Sequence, residues 1–365
     1  MTKPCLILTQ CFPPHAGGIE ILMHGLADAL ANADHAVHVL ADQGHDPDWA
    51  GFDAKQAFGV ERFGGWKVLR RRQKARAATQ WLAAHPGAHV FTCSYKSLEL
   101  MPQRALDGAQ VACLVHGMEL PENPKRKKVA RITRAFGKAD VLIANSRFTA
   151  GQTAPYVPDG VRLEVVNPPI PPQPEADPAE KERLRAQLGP GPVLASVSRL
   201  EPRKGVDQVI RAAAALQAEF PGLVYAVGGG GEDRERLEAL AHELSAPVTF
   251  LGRVSDAEKA ALLELADLFT MPVRREGNSV EGFGISYLEA AWYGTPAIAG
   301  QDGGAPDAVL DGQTGLVVDG TDTGAVTQAI RHLLSDAHLY TAMAAAAQTR
   351  AQGMVWENRI GSYLL

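Results

Sequence analysis

Cysteine is scarce in this chain of 365 residues: Cys5, Cys11, Cys93 and Cys113 stand far apart, with no C-x-x-C pair. That usage fits free thiols in a reducing cytoplasm and argues against a disulfide framework or a zinc site. Long apolar runs are also missing, and none approaches the roughly 18 residues that a membrane-spanning helix needs. The opening MTKPCLILTQ reads as a strand rather than a signal peptide. No glycine loop reads G-x-G-x-x-G, which leaves a dehydrogenase the least favoured enzyme class. Charge of one sign is not in large excess either. The net charge is -5, yet residues 1–170 hold 20 Lys and Arg against 15 Asp and Glu, and residues 171–365 hold 16 against 26. This balance argues against a uniformly basic nucleic-acid binder and leaves open a basic first half facing something anionic.

What is present suits two ordinary domains. Apolar residues make up 46% of the chain and charged residues 21%, enough for a core in each half. In the first half CLILTQ, AVHVLAD, HVFTC, VACLVHG and DVLIANS read as short strands separated by helical stretches. Ile19, Leu22, Met23, Leu26 and Leu30 give one such helix its apolar face. Alternation of this kind predicts a parallel sheet covered on both faces. Residues 168–178 contain six prolines in eleven positions and read as an extended linker. Beyond it the alternation restarts through PVLASVSRL, LVYAVGG, VTFLG, DLFTMPV and TPAIAG. The expected organisation is α/β, with two doubly wound Rossmann-like domains facing each other across a cleft. Residues 1–168 form the first domain, 169–189 the proline-rich linker and lead-in, and 190–345 the second. A C-terminal helix at about 350–365 packs back on the first. Ligand is expected at the carboxyl ends of the strands.

The most informative segment runs from Glu281 to Glu289, EGFGISYLE, between the strand DLFTMPV and a helix beginning near Gly284. Gly282 and Gly284 allow close backbone approach, and the helix start offers N–H groups and partial positive charge to an anion. Glu281 and Glu289 would flank the same molecule and accept hydrogen bonds from vicinal hydroxyls. A phosphate at a helix end with sugars gripped by carboxylates describes a nucleotide sugar; the plainer alternative is a helix cap beside a solvated glutamate. Ser198–Gly205, SRLEPRKG, puts Arg199 and Lys204 after a strand, where cations suit a diphosphate. PPHAGGIE, with Gly17 and Gly18, repeats the strand–glycine–helix geometry, and Gly228–Gly231 follows LVYAV. His116 ends the strand VACLVHG, as a packed residue or a site residue.

In this order PPHAGGIE, SRLEPRKG, EGFGISYLEAAWYG and GGAPDAVLDGQTG resemble the retaining family 4 glycosyltransferases of the GT-B fold, over nearly the whole chain. MPVRREGNSVEGFGISYLEA with AIAGQDGGAPDAV is similar to the GDP-mannose-dependent mannosyltransferases that build phosphatidylinositol mannosides. The resemblance implies that Arg199 and Lys204 bind the donor diphosphate, that Glu289 holds the ribose and that Glu281 holds hydroxyls of the transferred sugar. It implies that backbone N–H groups of Phe283, Gly284 and Ile285 meet sugar and phosphates, and that Arg253 and Val254 border the base. It further implies that Gly17 and Gly18 approach the phosphate on closure and that His116 touches the sugar near the reacting carbon. The run Gly228–Gly231 departs from the family's commoner Gly-Asp/Ser-Gly form.

The implied reaction is transfer of a hexose, mannose preferred, from GDP-mannose or a UDP-sugar to a lipid-linked or saccharide acceptor. The rivals are a sugar-nucleotide epimerase of the same fold and a non-catalytic nucleotide-sugar binder. No cofactor and no metal are expected. Asp46-Pro47-Asp48 formally matches the D-x-D pair of metal-dependent transferases, but it reads as a solvated turn. Two basic clusters, Arg70, Arg71, Arg72, Lys74 and Arg76 on one short helix and Lys125–Lys128 before another, are solvated faces or attract an anionic membrane surface. The chain is thus expected in the cytoplasm, peripheral on the inner face of the membrane if those clusters bind lipid.

Overall fold

Buried runs such as Cys5–Thr9 and Val193–Val197 become inner strands of two parallel sheets, because strands covered on both faces need no polar alternation. The computed structural model describes residues 2–15, 17–44, 48–121 and 123–364. The first sheet comprises β1 (Cys5–Thr9), β2 (Val37–Asp42), β3 (Gly59–Phe63), β4 (His89–Thr92), β5 (Gln110–Val115), β6 (Val141–Ala144) and β7 (Arg162–Val165). Its order is β3-β2-β1-β4-β5-β6-β7. The second comprises β8 (Val193–Val197), β9 (Val224–Gly228), β10 (Val248–Gly252), β11 (Leu268–Met271), β12 (Ala297–Gly300) and β13 (Gly315–Val318), in the order β10-β9-β8-β11-β12-β13. Counted from its own first strand, each sheet runs 3-2-1-4-5-6, the doubly wound order, and the first adds a seventh strand. The order reverses between β1 and β4 and between β8 and β11. Those are the points where such sheets open a crevice at their carboxyl ends.

The chain divides into two compact units, Met1–Pro171 with Val355–Leu365, and Pro172–Met354. In the first, the helix Gly18–Asn32 buries Leu22, Met23, Leu26 and Leu30 against β1 and β2. The returning segment belongs to this core. Val355 bridges Ile170 in parallel, and Trp356 and Tyr363 are buried with Leu26 and Leu30. The Trp356 indole occupies the space a side chain at Gly25 would need. The return is a short helix, Trp356–Arg359, and a turn. The long helix before it, Ala337–Gly353, lies in the second unit. The stretch expected as linker and lead-in carries a helix, Pro178–Leu188, capped by the Asp177 carboxylate with proline at its first position. Leu184 and Leu188 bury against Val193, Ala261 and Leu262. Proline density identified the extended part, residues 168–177, and obscured the helix that follows.

Candidate functional site

β8 and β11 are hydrogen-bonded neighbours, Leu194 opposite Leu268 and Ala195 opposite Phe269, so the loops leaving their carboxyl ends meet. After β8 the chain passes Ser198–Glu201, makes a tight turn over Pro202–Lys204 and enters the helix Val206–Leu216 through Gly205. Gly205 has φ +72°, and a Cβ there would overlap the Pro272 carbonyl, so this sharp entry requires glycine. After β11 the loop runs to Gly284, which takes φ +94° and opens the helix Ile285–Trp292.

The two loops bring Lys204 and Glu281 together. Lys204 Nζ donates to Glu281 Oε2 at 2.5 Å and Arg203 Nη1 to the same oxygen at 2.7 Å. Arg203 Nε donates to Glu201 Oε2 at 2.8 Å, and Arg199 Nη1 to Glu201 Oε1 at 3.2 Å. The result is an alternating chain of charges, Arg199, Glu201, Arg203, Glu281 and Lys204. Three cations against two acids leave a local positive excess in a half that is acidic by composition. Burial alone would raise the Glu281 carboxyl, but Lys204 and Arg203 outweigh it and hold its pKa at about 2, so it is ionised. Lys204 is 8% exposed, whereas the Arg199 side chain is 66% exposed and reaches outward. Arg203 was not picked out from sequence. Its position beside Lys204 in SRLEPRKG was the available signal.

Phe283 and Gly284 are buried, and Ile285 begins the helix, whose first-turn N–H groups lack partners within the helix. Glu289, one turn further in, accepts from Lys259 Nζ at 2.9 Å. Lys259 lies on the helix Asp256–Leu265. Burial would lower its pKa, but Glu289 and Asp256 raise it on balance. Sequence reading missed this pairing, which is made across the fold. Arg253 is exposed after β10, and Val254 lies against Gly228. The glycine run has a backbone purpose. Ser198 N donates to Gly228 O at 3.1 Å and Leu200 N to Gly230 O at 2.9 Å. A Cβ on Gly229 would overlap the Ser198 carbonyl, and one on Gly231 the Leu200 carbonyl. Gly228–Gly231 therefore braces the Arg199 loop.

In the first unit, Gly17 precedes the helix Gly18–Asn32 with an extended φ of 176°. Its missing side chain makes room for the Glu20 carboxylate, a buried acid in the first turn. Glu20 was not singled out from sequence; an acid among Ile19, Leu22 and Met23 was the clue. His116 follows β5, and its backbone N–H donates to Glu119 Oε1 at 3.0 Å. Its Nε2 is buried without a hydrogen-bond partner among the described residues. Burial lowers its pKa further than Glu119 raises it, so the ring is neutral and suited to a hydroxyl.

The first basic cluster needs correction. It lies on a long helix, Lys67–Ala84, and three of its members are tied down. Lys74, buried, donates to Thr9 O and Asp42 at 2.5 and 2.6 Å, Arg70 pairs with Asp42 at 3.0 Å, and Arg71 with Glu99 at 2.7 Å. Charge counting cannot see such pairing, because Asp42 comes from the end of β2 and Glu99 from just after the short helix Tyr95–Leu98. Lys67, Arg72 and Arg76 remain exposed, as do Lys125, Arg126 and Lys127, while Lys128 donates to Tyr95 Oη. Asp46 and Pro47 of the D-x-D match lie outside the described residues, and Asp48 precedes the helix Trp49–Asp53.

The chain resembles known proteins throughout its length. A family described as Glycosyltransferase Family 4 matches residues 16–174, and one described as Glycosyl transferases group 1 matches residues 180–350. The GDP-mannose-dependent alpha-(1-6)-phosphatidylinositol monomannoside mannosyltransferase of Mycolicibacterium smegmatis is 33% identical, over 94% of this chain and 92% of that one. A GDP-mannose-dependent enzyme of Corynebacterium glutamicum, named for the monoacylated form of that lipid, is 30% identical over 98% and 95%. HepE from Anabaena, solved in complex with UDP, superposes with a TM-score of 0.81 at 20% identity, covering 99% of each chain. Such sheets and such relatives define an enzyme of the GT-B fold that transfers hexosyl groups. The chain belongs to the family 4 glycosyltransferases.

Proposed function

We propose that the enzyme moves a mannosyl group from GDP-mannose to a lipid-linked or saccharide acceptor with retention of configuration. The reading is supported above all by the contact of Lys204 and Arg203 with Glu281 at the carboxyl ends of β8 and β11, together with the mannosyltransferase relatives. Arg199 and Lys204 receive the diphosphate, joined by N–H groups of Phe283, Gly284 and Ile285. Glu281 grasps hydroxyls of the sugar and Glu289 those of the ribose, while Arg253 and Val254 border the base. As the bond between the anomeric carbon and the phosphate oxygen breaks, negative charge grows on the leaving diphosphate, and fixed cations and N–H donors stabilise it. The acceptor oxygen attacks from the same face, and its proton passes to the departing phosphate. The positive excess at the site supplies the charge a metal would otherwise bring, so the transfer is proposed to need none.

The test is an assay with GDP-mannose and a phosphatidylinositol mannoside acceptor, with and without EDTA. Mannosylated lipid at equal rates in both arms is the expected result. Consumption of UDP-glucose in place of GDP-mannose would overturn the donor, and an isomeric nucleotide sugar made without acceptor would point to an epimerase.

Peripheral attachment to the inner membrane face belongs to the same proposal. No helix among the described residues is long and apolar enough to cross a membrane. The start of the helix Lys67–Ala84 instead leaves Trp66 85%, Val68 62% and Leu69 57% exposed beside Lys67 and Arg72. Exposed apolar groups next to cations suit an anionic lipid surface, at about 1 kcal/mol per basic residue near it. The protein should float with phosphatidylglycerol vesicles at low salt, leave them at high salt and ignore phosphatidylcholine. Failure to float at low salt removes the idea.

A further inference from the structure

Behind the charge chain lies a second network that the proposed chemistry does not use. Asp207, in the first turn of the helix Val206–Leu216, is buried. Its two carboxylate oxygens accept both terminal nitrogens of Arg274, at 2.8 and 3.1 Å. Arg274 lies on the loop after β11, seven residues before Glu281, and its backbone N–H donates to the Arg203 carbonyl at 2.9 Å. A third loop joins from the far side. Arg236, on the helix Arg234–Glu243 that this loop enters, holds Nη1 3.7 Å from Asp207 and forks onto Asp233 through Nε and Nη2, at 2.6 and 2.7 Å. Asp233 N in turn donates to the Leu200 carbonyl at 3.3 Å. One buried carboxylate thus ties together the loops that leave β8, β9 and β11.

We infer that Asp207 is a positioning residue that, through the planar fork of Arg274, sets the register in which Lys204 meets Glu281. Three observations carry it: the two-oxygen grip, the burial of the carboxylate, and the Arg274–Arg203 backbone bond immediately before Lys204. A bidentate guanidinium–carboxylate pair fixes orientation as well as distance, which a single contact does not. With the carboxylate gone, Arg274 would lose its fork and fall back on Glu276, 3.6 Å from its Nε, and the loop after β11 could slide relative to Lys204. Asp207 touches no substrate in this account. It acts through the pair it aligns. The inference rests on the reading of Lys204 and Glu281 given above.

A double-mutant cycle separates the two ideas. Asp207→Asn should lower kcat at least tenfold while the donor KM moves less than threefold. In a Glu281→Gln background the same substitution should change the residual kcat less than twofold, because the contact it aligns is already gone. Arg274→Lys keeps the charge, loses the fork and should reproduce most of the kcat loss. It also serves if Asp207→Asn does not fold. Equal losses from Asp207→Asn, or from Arg274→Lys, in both backgrounds would show a merely structural residue and overturn the inference. Unchanged turnover in Glu281→Gln alone would instead overturn the site reading on which it rests.

Discussion

Lys204→Ala lowers kcat/KM by about two to three orders of magnitude and leaves the fold intact. The size follows from removing one preorganised donor aimed at developing charge, worth roughly 3–4 kcal/mol. Each 1.36 kcal/mol is tenfold in rate. Folding should survive because the cores beneath the site, built on Leu194, Tyr225 and Leu268 and on Val193 and Leu262, do not use the lysine. Glu281 also keeps Arg203 as a partner at 2.7 Å. With one cation gone, the Glu281 carboxyl rises from about 2, so the acid limb of the rate profile shifts to higher pH. Steady-state kinetics with circular dichroism on the same preparation decide the matter. Near-normal kcat/KM with an intact spectrum would remove Lys204, and with it the proposed diphosphate site, from the mechanism.

How far the sequence foretold this arrangement depends on which force writes the pattern. Inner strands were legible because burial on both faces enforces apolar runs, as in VACLVHG and PVLASVS. The strands β3, GVERF, β7, RLEV, and β13, GLVV, were missed. In β3 and β7, partly exposed edge positions admit Glu and Arg, which erases the signal. The loop residues Lys204 and Glu281 were legible as chemistry because they sit beside helix starts and glycines with few other reasons to be there. Lys259 with Glu289 and Asp207 with Arg274 were not. Lys259, Asp207 and Arg274 read as ordinary surface charges, and Glu289 reads as a hydroxyl-binding acid with no partner; only the order β10-β9-β8-β11 brings each pair together. The sealed state of Lys74 was hidden for the same reason, since Asp42 reaches its helix from the end of β2.

Glu281→Gln should lower transfer at least a hundredfold and, unlike Lys204→Ala, should also destabilise the protein. Breaking a buried ion pair by removing one partner typically costs about 3–5 kcal/mol, because the remaining charge stays buried and unpaired. Here Glu201 still holds Arg203, so the lower end of that range is expected, and Lys204 carries most of the loss. The deficit has a signature. A nucleoside diphosphate brings negative charge to the uncovered cations, so GDP should raise the melting temperature of the variant more than that of the wild type. The pH dependence gives a second check. A carboxyl held near 2, below its ordinary 4.5, contributes stability that is complete above about pH 4.5 and is lost as pH falls towards 2. The stability gap between wild type and variant should therefore close over that interval. A variant as stable as the wild type at neutral pH, with the same response to GDP, would mean that Glu281 does not restrain these cations. The charge chain would then be a surface ornament rather than a receptor for a leaving diphosphate.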